Sequence, residues 1–214
     1  MRKDATTFNA ETEYYRKEWQ DYYPLVIKLV PPGTKVLDIG SGRGALAAYL
    51  KDSKGCDVTA NDVNDKALAI CRKKGLKTAK FDLESGKIPG AYDVIVLSAV
   101  LEHLVDPLAA LEKLKKSLKK DGRLVILVPN FSFWAARILY MIGRNAKRFG
   151  QTRHERRMGI QPYAHLQFFN RRTLRHCLEK TGYTVERWAF HEFFTKIPVP
   201  FAMCSSMLAV RAKR

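Results

Sequence analysis

The chain has 214 residues, 46% of them hydrophobic and 28% charged, which suits one domain with a real core and excludes a disordered polymer. Its 38 Lys and Arg against 21 Asp and Glu give a net charge of +17, a balance that favours anionic partners (nucleic acid or a membrane surface) or else coats solvated helix faces. Cys56, Cys71, Cys177 and Cys204 show no C-x-x-C spacing, no apolar run reaches membrane-spanning length, and the start lacks a signal-peptide pattern, so the expectation is a cytoplasmic protein, at most peripheral at the membrane, with no metal site.

The first 30 residues read as a helical cap in which Tyr14, Tyr15, Trp19, Tyr22 and Tyr23 crowd among charges, before Pro31-Pro32-Gly33 punctuates the chain. Val36 to Ile39 is a buried strand that runs into Gly40-Ser41-Gly42-Arg43-Gly44 and then a helix over Ala45 to Lys51. Asp57 to Ala60 is a second strand. Asn64 caps a helix carrying Ala67, Leu68 and Cys71 and closed by Gly75. Thr78 to Phe81 is a weak third strand, and Tyr92 to Leu97, continuous in Val and Ile, a strong fourth. Asp106-Pro107 opens a helix with Leu108, Leu111, Leu114 and Leu118 on one face and Gly122 as its stop; its Lys113–Lys120 run reads as a solvated face. Leu124 to Val128 is a fifth strand. Asn170 caps a helix that ends at Gly182, and Tyr183 to Phe190 and Met207 to Arg211 supply the last two strands. This alternation argues for a doubly wound, mostly parallel α/β sheet.

A segment of about forty residues, 131–169, interrupts the rhythm where a short connection would suffice, and such insertions tend to be functional. Phe131 to Ile142 is apolar and aromatic, either a lid packed on the core or an interfacial helix. Arg144 to Arg157 carries six cations against Glu155 alone, a candidate contact for RNA or an anionic membrane surface.

The glycine turn lets a ligand approach bare backbone, and the following helix offers unpaired N–H groups, so a nucleoside-type cofactor is expected. In an open α/β sheet the ligand lies beyond the carboxyl ends of the strands. Those ends carry the turn itself, Asp62, Asp82 and Ser98. Asp62 is well placed to accept from both hydroxyls of a ribose. A nicotinamide dinucleotide also uses a glycine turn and a distant acid. Here the spacing is G-x-G-x-G, and Asp38 just upstream would oppose a pyrophosphate while suiting the amino group of a methionine moiety.

With these residues in view, the chain resembles the class I S-adenosylmethionine-dependent methyltransferases. V-L-D-I-G-S-G-R-G looks like their first motif, V-T-A-N-D-V-N their acidic second, K-F-D-L their third, and Y-D-V-I-V-L-S-A-V-L-E-H-L their post-fourth segment. D-G-R-L-V-I-L-V-P-N resembles their fifth strand and its approach. Two departures are polar Asn61, where the family is usually apolar, and the cation Arg43 beside the loop. P-N-F-S-F-W with a later H-L-Q-F-F-N is similar to the MetW-like group and neighbouring small-molecule or glycan methyltransferases, whereas L-E-H-L resembles the general methyltransferases more. The resemblance implies a Rossmann-like fold with seven strands, one domain over residues 1–214 and a lid insertion after strand five. It implies S-adenosylmethionine as cofactor, with Asp38, Gly40, Ser41 and Gly42 at the methionine end and Asp62 and Val63 at the ribose. Asp82 and Leu83 would lie at the adenine, and Ser98 and Leu101 beside the methionine and acceptor. Glu102 and His103 would line the acceptor side, and His103 and His165 are the candidate bases. His154, His176 and His191 carry no informative neighbours.

The expected reaction is methyl transfer to a small molecule or saccharide, which could be lipid-linked. An RNA acceptor, suggested by charge alone, and a non-catalytic cofactor-binding role with a protein partner remain open alternatives. The residues do not specify the acceptor atom or the oligomeric state.

Overall fold

The computed structural model describes residues 22–133, 137, 138, 141, 142, 165–190 and 207–214. Most of the proposed N-terminal cap and lid, the whole Arg144–Arg157 cluster, and His154 and His191 lie outside these residues.

The chain runs α1 (Tyr23–Leu29), β1 (Lys35–Ile39), α2 (Ala45–Lys54), β2 (Asp57–Asn61), α3 (Asp65–Lys73), β3 (Lys77–Ala79), β4 (Tyr92–Ser98), a single 3-10 turn at Leu101–His103, α4 (Pro107–Ser117), β5 (Leu118–Pro129), α5 (Arg171–Lys180), β6 (Thr184–Phe190) and β7 (Met207–Lys213). The strands form one sheet in the order β3-β2-β1-β4-β5-β7-β6. All neighbours are parallel except β7, which lies antiparallel between β5 and β6. The strand order reverses between β1 and β4, the place where such sheets open a crevice for ligands.

Side chains alternate faces along a strand, and here both faces are apolar. Leu37, Ile95, Leu97, Leu124, Ile126 and Val128 point to one side, where they pack with Leu111 and Leu114 of α4 and Leu174 and Leu178 of α5. Val36, Val94, Val96, Val125 and Leu127 point to the other, against Leu25, Val26 and Leu29 of α1 and Leu46 and Leu50 of α2. Asp38 shares the second face by the same period, so its carboxyl is carried into the interior.

The helix caps follow from local chemistry. Asn64 accepts from the Lys66 N–H at 2.9 Å, and Asp106 accepts from Ala109 N–H at 2.9 Å with Pro107 at the first helical position. Asn170 and Thr173 form a reciprocal capping box at the start of α5. Gly122, however, does not end α4. The helix stops at Ser117, and buried Leu118 already pairs with Tyr92 of β4. Residues 119–122 bulge out before Arg123 rejoins opposite Val94, so Gly122 belongs to the bulge.

Strand β3 also ends earlier than its sequence suggests, at Ala79. The Asn61 side-chain amide donates to Ala79 O at 3.1 Å and to Phe81 O at 2.9 Å, and so satisfies the departing chain where ladder bonds stop. Polar Asn61 therefore has a structural use. The Lys113–Lys120 run is more than a solvated face. Lys113 donates to Leu83 O, Glu84 O and Gly86 O, Lys115 to Thr181 O and Gly182 O, and Lys119 pairs with Asp93 at 2.8 Å. The Lys113 and Lys115 ammonium groups thus reach backbone carbonyls, while Lys119 reaches a carboxylate.

Candidate functional site

A cleft of about 480 Å³ opens at the carboxyl ends of β1, β2 and β4, lined by Tyr23, Asp38, Gly40, Ser41, Gly42, Arg43, Ala45, Leu46, Asp62, Asn64, Ala67, Lys74, Ser98 and Ala99. Six of the ten sequence-assigned cofactor residues meet there: Asp38, Gly40, Ser41, Gly42, Asp62 and Ser98.

The glycine turn has the geometry its composition demands. Gly40, Gly42 and Gly44 all have positive φ, at 68°, 54° and 70°. A Cβ on Gly40 would come within 2.5 Å of Val100 Cγ2, and one on Gly44 within 2.7 Å of Leu76 and 2.8 Å of Cys71. Gly42 differs, because among the described residues nothing lies within 4 Å of the place its Cβ would take. Its missing side chain leaves open space on the cleft wall.

Asp38 is 1% exposed, and among the described residues neither carboxylate oxygen has a hydrogen-bond partner. Burial, with the Asp62 charge as the lesser cause, pushes its pKa up to about 7. Tyr23 of α1 lines the same cleft, and its phenol is pushed well above the usual range by burial and then by Asp38. A buried, unpartnered carboxyl is costly unless a ligand satisfies it, so the site favours a cationic group such as an ammonium.

Asp62 holds the turn as well as facing the cleft. Its Oδ2 accepts from Gly42 N–H at 2.9 Å and its Oδ1 from Asn64 N–H at 2.8 Å. Each oxygen keeps a lone pair for a diol. Asn64, Ala67, Cys71 and Lys74 share one face of α3, with Asn64, Ala67 and Lys74 on the cleft and the Cys71 thiol donating to Gly42 O at 3.4 Å. The sequence reading missed Tyr23, Arg43, Ala45, Leu46, Asn64, Ala67, Lys74 and Ala99 as cleft residues. The helical spacing counted from Asn64 was the available signal for three of them.

The other assigned residues lie apart from the cleft lining. Asp82 is exposed and caps a turn, accepting from Glu84 N–H at 2.7 Å and Ser85 N–H at 3.1 Å. The Ser85 and then the Glu84 amide hold its carboxyl below the ordinary range. Glu84 in turn accepts from Val105 and Asp106 N–H, and Lys113 ties the same turn down. Leu83 and Leu101 are core side chains, and Val63 is 61% exposed.

Past Ser98 the connection carries Ala99 with φ 54°, a conformation that a residue with Cβ adopts at a cost. The 3-10 turn follows. Glu102 is 1% exposed, its carboxylate has no hydrogen-bond partner among the described residues, and burial pushes its pKa up to about 8. The Glu102 carbonyl accepts from Leu166 N–H at 2.8 Å and Gln167 N–H at 3.0 Å, which brings His165 to His103 with ring centroids 4.9 Å apart. The two candidate bases, far apart in sequence, are neighbours. His176 sits on α5.

Against known proteins, the family described as a methyltransferase domain matches residues 12–187. The chain belongs to this family of S-adenosylmethionine-dependent methyltransferases. Relatives include ubiquinone biosynthesis O-methyltransferases. That of Xylella fastidiosa is 29% identical over 174 residues, covering 76% of this chain and 70% of its own. That of Idiomarina loihiensis is 29% identical over 100 residues, covering 43% of this chain, which spans only 41% of the relative. In fold, magnesium protoporphyrin IX methyltransferase from Synechocystis, solved with bound SAH, superposes with a TM-score of 0.63 at 17% identity, covering all of this chain and 89% of that one. The cofactor of this methyltransferase family is S-adenosylmethionine, and the open wall at Gly42 and the unpartnered Asp38 carboxyl fit it.

Proposed function

We propose that the protein methylates a hydroxyl oxygen of a small-molecule acceptor, which could be a saccharide or carry a lipid. The unpartnered Asp38 carboxyl beside the glycine turn carries the cofactor part of this reading. The oxygen acceptor is supported by the names of the relatives, which are O-methyltransferases of ubiquinone biosynthesis. When bound, S-adenosylmethionine supplies an electrophilic methyl group on a good leaving group.

The residues therefore work mainly by alignment, an effect that can supply on the order of 7–11 kcal/mol of the barrier. Asp38 would hold the ammonium of the methionine end, with Gly40, Ser41 and Gly42 offering backbone and Ser98 closing the near side. Asp62 would take the ribose diol, with Val63 beside it. Asp82 and Leu83 would border the adenine, and Leu101 supports the acceptor-side turn. A hydroxyl must also lose its proton as it attacks, and the His103–His165 pair, with ring centroids 4.9 Å apart, would handle that proton. The 131–169 insertion and the N-terminal segment 1–30 would enclose the acceptor, as lid and cap of a single domain.

Isothermal calorimetry with S-adenosylhomocysteine on wild type and Asp62→Ala tests the cofactor site. We expect wild type to bind in the micromolar range and the variant to lose about 1–3 kcal/mol, roughly 5- to 150-fold. No binding by wild type, or full binding by the variant, would overturn it. Turnover of labelled S-adenosylmethionine with a cell-extract metabolite pool then tests the acceptor class. The high positive charge favours one rival, an RNA acceptor, and steeply salt-dependent binding with methylation of mixed RNA would replace the small-molecule reading.

A further inference from the structure

We propose that Glu102, His103 and His165 form a site for one divalent transition-metal cation, set beside the cofactor cleft to hold the acceptor oxygen. The inference rests on the proposed methyltransferase reading for its role, though not for the binding itself. One ligand atom from each residue, two imidazole nitrogens and one carboxylate oxygen, lies within 4.8 Å of the other two. Two histidines and a carboxylate are a donor set for ions such as zinc, iron or manganese, and a three-ligand site leaves a position open. Metal–ligand bonds of about 2.0–2.2 Å place tetrahedral ligand atoms roughly 3.4 Å apart, so small side-chain rotations would close the site on an ion.

Two further observations point to a ligand. Glu102 is almost wholly buried and both its carboxylate oxygens lack a hydrogen-bond partner among the described residues, so the carboxyl is left for a ligand to satisfy. The cluster is also held by backbone. The Glu102 carbonyl receives the Leu166 and Gln167 N–H groups, and the Gln167 side-chain amide donates to Leu104 O at 3.2 Å and Val105 O at 3.3 Å. Four hydrogen bonds from Leu166 and Gln167 thereby deliver His165 to the 3-10 turn.

The cluster follows Ala99, a cleft residue, by three positions in the same connection. An acceptor hydroxyl in the open position would bind through oxygen. Its O–H bond would break, both electrons staying on the metal-bound oxygen and the proton passing to solvent. The histidines would then act as neutral ligands, and the cation would do what a free base would otherwise do.

The test uses the full chain stripped with a chelator, dialysed against Zn²⁺ and assayed by elemental analysis, with Co²⁺ absorption reporting the ligand field. About one ion per chain is expected, and Glu102→Gln, His103→Ala and His165→Ala should each weaken binding by roughly 100-fold or more. Circular dichroism confirms that each variant is folded, and the exposed His103 gives a variant that leaves the core untouched. Binding of well under one ion, or binding and Co²⁺ bands that survive the His103 and His165 substitutions, overturns the site. S-adenosylhomocysteine binding, measured on the same samples, should stay within about threefold of wild type. Its absence from wild type would sink the cofactor reading alone, while the metal stoichiometry would still decide the metal site.

Discussion

Asp38 occupies a position where an ordinary core residue would be apolar, and that placement has a measurable consequence. Its carboxyl is raised from 3.8 to about 7, chiefly by burial. Between those values the folded state keeps a proton that the unfolded state has released. The Asp38 contribution to stability without ligand therefore falls as pH rises through about 4 to 7, by a total on the order of 4 kcal/mol, and Glu102, raised to about 8, adds a second fall that continues to about pH 8. Asp38→Asn removes the Asp38 share of that slope, leaving the Glu102 share, and makes the unliganded protein more stable at pH 8, as denaturant titrations at several pH values would show. An unchanged slope in the variant would mean that Asp38 is not the group responsible. The same carboxyl predicts proton release on binding. An ammonium beside Asp38 favours the carboxylate, so calorimetry at pH 6 in buffers of different ionisation enthalpy should show S-adenosylhomocysteine expelling a fraction of a proton. Heats independent of the buffer would count against the ammonium contact. Asp38 could be read as a site residue from its place before the glycines, but its missing hydrogen-bond partners could not, since burial is a property of the packed sheet.

The glycine turn separates two roles that a motif merges. Gly44 and Gly40 are small because neighbours press on them, Cys71 and Leu76 on one and Val100 on the other. Gly42 is small because the cleft needs the space. Gly42→Ala should cost only about 1–2 kcal/mol for its positive φ, a fall in Tm of roughly 2–8 °C. It should nonetheless weaken S-adenosylhomocysteine binding at least about tenfold. Gly44→Ala should show the reverse emphasis, with a larger loss of Tm as α3 is forced away from the turn. Thermal unfolding and calorimetry on both proteins check the contrast, and equal effects from both would remove it. Elements whose boundaries rest on local chemistry were readable in the sequence, as the caps at Asn64, Asp106 and Asn170 show. Boundaries set by partners were not. Gly122 looked like a helix stop because the pull of β4 on Leu118 is a tertiary contact, and Phe81 looked like strand because the Asn61 amide ends β3 from the next strand. The pairing of His103 with His165 was hidden for the same reason: backbone bonds across a long connection create it.

The fold as a whole depends on its last strand. β7 enters the sheet after every other element and lies between β5 and β6, with Leu208, Ala209, Val210 and Ala212 fully buried. Arg123 on β5 and Arg211 on β7 both pair with Glu186 on β6, at 3.0 and 2.8 Å, and tie the three strands across their edge. These partially exposed pairs add little beside the burial of apolar surface. Both faces of the sheet join this end to the cleft: Leu127 next to β7 belongs to the cluster of α1 and α2, while Val128 belongs to that of α4 and α5. A strand so placed cannot open without breaking both apolar layers. Hydrogen exchange under native conditions should therefore place the Leu208–Ala212 amides in the slowest class, alongside Val94–Leu97 of β4. The short edge strand β3, with only three residues paired to β2, should exchange faster by at least about tenfold. If β7 exchanged as freely as β3, the antiparallel end would be a separable appendage, and the cleft would rest on the parallel strands alone.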